Sequence, residues 1–165
     1  MKELIISCVG VMLGSIITYY TTKKIQIDMS KRTIKIENMQ SFKGYLHDYM
    51  RTIALRNILV KYHQEHKVTD EEFKKEDDVF QESLRSSVRN IVLISCYIDK
   101  ELIQRFECIN NDLNKRIFEY YYIYIDKLYE PVYEDVLDEY FTYVNSIMSI
   151  MNDLDVEIRK NIDGV

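Results

Sequence analysis

The scarcity of chain-breaking residues is the tightest constraint on this sequence: 165 residues contain four Gly and one Pro, and neither type occurs between Ser15 and Lys43. An all-β chain needs a turn about every ten residues. Long helices do not, so the expected fold is all-α. Apolar residues at 47% and charged residues at 30% exclude a disordered chain, and three Cys exclude a disulfide-stapled miniprotein.

Leu4 to Tyr20 is a run of 17 residues without a charge. As a helix it would rise about 25 Å, at the short end of what crosses a hydrocarbon core of roughly 30 Å. Tyr19 and Tyr20 stand where an interfacial aromatic belt belongs, and Lys23 and Lys24 come after them. A cleaved signal would carry a basic start and a small-residue cleavage site. Here Lys2 is beside Glu3, and the run ends in Tyr-Tyr-Thr-Thr-Lys-Lys. The run therefore reads as a retained single-pass anchor over 1–22. Within it, Gly10 and Gly14 stand four apart with Ser7 on the approach. That spacing lets two backbones come close and favours pairing in lipid, hence a homodimer.

Charge is distributed unevenly around a net of −5. Residues 23–67 carry ten basic and four acidic residues, whereas 68–165 carry eleven and twenty-two. An acidic distal part repels phosphate backbones, so no nucleic-acid partner is expected. The basic cluster Lys23, Lys24, Lys31, Arg32 and Lys35 outweighs the lone Lys2 on the other side of the run. By positive-inside counting the N-terminus lies outside the plasma (or inner) membrane and the bulk of the chain in the cytoplasm. The same cations, in a helical juxtamembrane segment over 23–35, are suited to anionic lipid headgroups.

Residues 36–165 read as a cytoplasmic antiparallel bundle of about four helices. Ile36, Met39, Lys43, Leu46, Met50, Ile53, Asn57 and Val60 step alternately by 3 and 4, a coiled-coil seam in which Lys43 and Asn57 would fix register. Phe42, Tyr45, Tyr49 and Leu59 widen that face. Thr69-Asp70-Glu71-Glu72 is a capping box for a second helix, whose apolar face runs through Phe73, Phe80, Leu84, Val88 and Ile91. Asp99 begins a third with Leu102, Phe106, Ile109, Leu113, Ile117, Tyr120 and Tyr124 on one face; Asn110, Asn111 and Asn114 suggest a kink in it. Pro131 suits the first turn of a fourth. There Val136, Tyr140, Tyr143, Ile147, Ile150 and Leu154 form one stripe, with Leu137, Phe141, Val144, Met148 and Met151 beside it, implying a broadly buried helix.

Chemistry is sparse. His63 and His66 are three apart without a third ligand in reach, so no metal or other cofactor is expected. Cys96 and Cys108 lie in apolar helical contexts and read as buried thiols. No phosphate loop, nucleophile elbow or dinucleotide fingerprint occurs, which points away from an enzyme. Eight of fourteen Tyr fall within residues 120–143 among acidic side chains. Three consecutive Tyr, 120–122, cannot all enter one core, so at least one is expected to be exposed. Tyr121, Tyr122, Tyr129 and Tyr133, with Glu130 and Glu134, form the expected partner surface. These features together suggest a membrane-tethered, non-enzymatic interaction or scaffold module whose partners are the bilayer and a cytoplasmic or membrane protein. The alternative is a membrane-perturbing effector (a toxin, holin-like or phage-defence protein) that oligomerises through its Gly-containing helix.

Overall fold

The computed structural model describes the backbone of residues 2–126 and 136–163, and side chains over 14–126 and 141–163. Tyr129, Glu130, Pro131, Tyr133 and Glu134 lie outside these residues, as do the side chains of Ser7, Cys8 and Gly10. The described chain is helical almost throughout, with no strand: α1 (Lys2–Gln64), α2 (Asp70–Ile94), α3 (Lys100–Tyr120) and α4 (Val136–Asp163). A 3-10 turn at Ser95–Tyr97 joins α2 to α3, and a π-helical turn at Tyr121–Ile125 extends α3.

The chain divides into two units, Met1–Glu37 and Asn38–Val165. In the first, α1 runs without a break, with neither Gly nor Pro between Ser15 and Lys43 to interrupt it, and every residue from Gly14 to Ile34 is exposed. Thr18 and Thr21 hydroxyls donate to the carbonyls of Gly14 and Ile17, each at 2.8 Å, so these groups are satisfied inside the helix. Among the described residues no helix is long and apolar enough to cross a membrane. Leu4 to Leu13, the greater part of the uncharged run, fall among the residues whose side chains are not described.

The second unit is an up-down-up-down bundle, and its side-chain pairings fix the directions. Thr52 meets Ser83 and Arg56 meets Asp77, so α2 runs antiparallel to α1. Phe42 packs edge-on against Phe106, Tyr49 donates to Asn110 and His63 meets Tyr120, so α3 runs parallel to α1. Arg105 meets Asp153 and Tyr143 donates to Asp112, so α4 returns antiparallel to α3.

The core face of α1 differs in phase from the seam read in the sequence. Its buried stripe is Met39, Phe42, Leu46, Tyr49, Ile53, Arg56, Val60 and His63, again stepping by 3 and 4, with Thr52 buried beside it. Half of the expected seam is kept, but Lys43, Met50 and Asn57 sit half-buried on its flank. Phe42 and Tyr49 decide the phase, because each aromatic ring removes far more apolar surface from water than Lys43 or Asn57 can. Lys43 pairs with Asp155 of α4 at 2.7 Å rather than fixing register in the core.

Two further expectations fail on α4 and α3. On α4, Tyr143, Ile147, Ile150, Leu154 and Ile158 are buried, yet Phe141 and Met148 of the second stripe are 57% and 48% exposed. The helix is amphipathic, with one buried stripe and a second left at the surface. On α3, the three Asn produce no kink, because Asn110 is held by the Tyr49 hydroxyl within an unbroken helix.

Candidate functional site

A polar network among α1, α2 and α3 is the chemically richest place in the described chain. It begins where α1 ends. His66 has φ of 56°, the left-handed conformation that closes a helix. The Lys67 amide donates to the Tyr62 carbonyl at 2.9 Å and the His66 amide to that of His63 at 3.0 Å. Thr69 then caps α2. The Glu72 amide donates to its hydroxyl at 3.3 Å, and the Thr69 amide donates back to the Glu72 carboxylate at 3.0 Å. The Thr69 backbone amide and then its hydroxyl hold the Glu72 carboxyl below the usual range.

This tight turn brings Asp70 against His63, one heptad earlier. His63 is buried; its Nε2 lies 3.0 Å from Asp70 Oδ1 and its Nδ1 lies 2.8 Å from the Tyr120 hydroxyl. A carboxylate only accepts, so Nε2 carries the proton and donates to Asp70. Nδ1 and the Tyr120 hydroxyl share the second hydrogen bond, and that hydroxyl also lies 3.5 Å from the Val60 carbonyl. The imidazole also packs on Phe73, ring centroids 4.6 Å apart. Two turns toward the bundle centre, Arg56 Nε donates to Asp77 Oδ1 at 2.5 Å, and Gln81 donates to the other oxygen at 2.8 Å. The Arg56 guanidinium also lies 6.0 Å from the centre of the Tyr120 ring.

Val60, Phe73, Tyr120 and Ile125 form the apolar cluster that surrounds these groups, with Tyr121 and Tyr124 packed against it. Burial raises the Tyr120 and Tyr121 hydroxyls above the ordinary tyrosine value. The Tyr121 hydroxyl is buried without a hydrogen-bond partner among the described residues. The π turn explains how so many rings enter one core: the Asp126 amide donates to the Tyr121 carbonyl at 2.9 Å, a five-residue step that rotates the chain out of α phase. The expectation of an exposed ring among Tyr120–Tyr122 is thereby corrected. Tyr120 is buried, and Tyr121 and Tyr122 are half-buried.

Asp70–His63–Tyr120 resembles an acid–base relay in connectivity only. Its ring nitrogens are both engaged, and the imidazole is buried among apolar rings while the Asp70 side chain remains 47% exposed. What the network does is tie the ends of three helices together. His63 thus belongs to the core, while His66 and His47 are exposed. Among the described residues no three His, Cys, Asp or Glu side chains converge as metal ligands.

Elsewhere, an open groove of about 400 Å³ lies between α3 and α4, lined by Gln104, Arg105, Cys108, Ser146 and Ser149. Arg105 is committed there to Asp153 at 2.6 Å and Ser149 at 2.9 Å. The two thiols expected in the core, Cys96 and Cys108, are exposed. Cys96 lies in the 3-10 turn, none of whose residues is buried, and Cys108 falls between the buried Phe106 and Leu113 of α3.

Of the expected partner surface, Tyr121 belongs to the core cluster. Tyr122 packs on Phe118 at 4.5 Å, and Phe118 is 61% exposed. Phe118, Phe141 and Met148 are among the exposed apolar side chains of the bundle, with Val79, Val92 and Leu93 on α2 exposed as well. Lys23, Lys24, Lys31 and Arg32 are exposed along α1, Lys35 is half-buried, and Gly14 has open space around the position a Cβ would take. No protein-family model, curated protein or solved structure matches the chain.

Proposed function

We propose that this chain is a non-enzymatic helical interaction module, held at a membrane by its N-terminal helix, with the bundle on the cytoplasmic side. The observation that carries the interaction reading is the apolar stripe on α4: Phe141 and Met148 are exposed, and Val144 and Met151 between and after them are half-buried. A stripe at helical spacing outside the bundle core is the kind of surface that a partner helix or groove covers.

The tether is supported by the uncharged run and by the residues at its C-terminal end. Ile16, Ile17, Tyr19 and Tyr20 are all more than half exposed, so water is a poor surrounding for this helix and lipid a good one. Internally bonded Thr18 and Thr21 hydroxyls fit that setting, since hydrocarbon offers no outside partner. The basic segment after Tyr20 gives the orientation.

The test has two parts. Alkaline carbonate washing of expressing cells should leave the chain in the membrane pellet; release into the supernatant removes the tether. Phe141→Ser with Met148→Ser should abolish a cross-linked partner while leaving far-UV dichroism intact. A partner retained by that double variant places the surface elsewhere. The effector alternative draws on the open Gly14 face, and it requires the native chain to depolarise a host membrane when an inert Leu/Ala anchor over 4–20 does not.

A further inference from the structure

We propose that the N-terminal part of α1 pairs, in parallel, with the same segment of a second copy of this chain. Ile17, Tyr20, Lys24, Ile27, Lys31 and Ile34 step by 3, 4, 3, 4 and 3 along the helix. Ile17 and Tyr20 are 66% and 67% exposed, and Ile27 and Ile34 are 46% and 44% exposed. In sequence the same repeat runs back through Leu13 and Gly10, whose side chains are not described.

Tyr20, Ile27 and Ile34 recur every seven residues, alternating with Ile17, Lys24 and Lys31, a spacing that matches the seam of a two-stranded coiled coil. Ile27 and Ile34 stand one and two heptads beyond Tyr20, about 10 and 20 Å further along the axis. That puts them past the hydrocarbon even when the run before them is inserted, so lipid tails do not cover them. The seam also ends where the bundle begins, because from Met39 onward the apolar face of α1 is occupied by α2, α3 and α4.

Charge supports a second copy in parallel. Flanking the seam are Lys23 on one side and Asp28 on the other. In a parallel pair Lys23 faces the partner's Asp28, and the partner's Lys23 faces Asp28, an interhelical ion pair repeated by symmetry. Lys24 and Lys31 occupy seam positions, where a cation lowers stability but specifies register and a low oligomer number. Asp28 lies within one turn of both and offsets their repulsion. The pairing draws on the proposed tether for a high local concentration, while its chemistry is that of the seam alone.

Cysteine cross-linking of the full-length chain in its own membranes tests this, with Cys8, Cys96 and Cys108 changed to Ser. Ile27→Cys and Ile34→Cys should give disulfide-linked dimers on mild oxidation at several-fold the yield of Thr22→Cys and Met29→Cys, which lie on the opposite face. Equal yields at all four positions, or none at any, overturn the seam. Lys24→Leu with Lys31→Leu should raise the yield at Ile34→Cys, and Asp28→Lys should lower it; the reverse order also overturns the proposal. If carbonate washing releases the chain but the face-specific pattern persists, the tether falls and the seam stands.

Discussion

Arg56 on α1 and Asp77 on α2 form an ion pair inside the bundle, Nε to Oδ1 at 2.5 Å, with their side chains 9% and 0% exposed. Each lies at a position where its helix would ordinarily place an apolar residue. Desolvating both charges is costly, and the Gln81 amide and the Tyr120 ring supply part of the compensation.

Removing one partner should therefore cost far more than removing both. Asp77→Ala strands a buried guanidinium and should destabilise the bundle by about 3–5 kcal/mol in urea unfolding. Arg56→Met combined with Asp77→Leu should fall within about 1 kcal/mol of the parent or above it. Equal losses in the single and double variants would show that packing, not charge, dominates here.

High pH should unfold the protein early. Burial, then the neighbouring Tyr143, pushes the Tyr49 hydroxyl well above its ordinary value. The unfolded chain loses this proton above a pH of about 10 while the folded chain keeps it, so stability is full below that pH and declines above it. Tyr49 alone should contribute a slope of about 1.4 kcal/mol per pH unit there. Tyr49→Phe should flatten the alkaline limb of a stability-against-pH curve; an unchanged limb contradicts the assignment.

The α2 cap should be sensitive to acid. Glu72 is held below the usual carboxyl range by Thr69, so its contribution is complete above the ordinary Glu value and fades as pH falls through the lowered one. Thermal melts of the parent and Glu72→Gln between pH 7 and pH 3 should converge toward the acid end. Thr69→Ala should cost about 1 kcal/mol at neutral pH.

At the end of α1, His66 holds a left-handed backbone that costs a residue with a Cβ roughly 1 kcal/mol. Glycine loses that strain but gains freedom in the unfolded chain. His66→Gly should stabilise the protein by about 0.5 kcal/mol, read as a raised melting temperature. A lowered one would mean that the imidazole has a further role.

Cys96 and Cys108 should both react with a disulfide reagent in the native state, since each is exposed. Absorbance at the first minutes should count two thiols in a Cys8→Ser chain. None reacting would place them under cover.

Helix number, helix starts and the fold class were legible because they depend on local chemistry. Thr69 and Asp99 cap as their sequence contexts demand, and α1, which holds no Pro and no Gly between Ser15 and Lys43, stays whole. The phase of α1 was harder to read. Its 3–4 spacing fits two registers that share Met39, Leu46, Ile53 and Val60, and choosing between them means accepting Arg56 and His63 as core residues. Nothing local marks those two as buried; their partners Asp77 and Tyr120 are distant in sequence and polar. The π turn was hidden for a related reason, since it satisfies packing around Tyr120 and Ile125 that only the assembled helices create. The second stripe on α4 differs from expectation because periodicity shows which residues share a face, not how deeply that face is buried.

That π turn also makes chain length a variable at one place. It carries one residue more than an α turn, so removing Tyr122 or Ile123 would let the ladder close at four-residue spacing and keep the residues after it in reach of the same neighbours. Anywhere else in α1, α2 or α3, losing one residue rotates the remainder by about 100° and turns buried side chains outward. Among the described helices, the run of tyrosines is thus a place where a residue can be lost without rewriting the core.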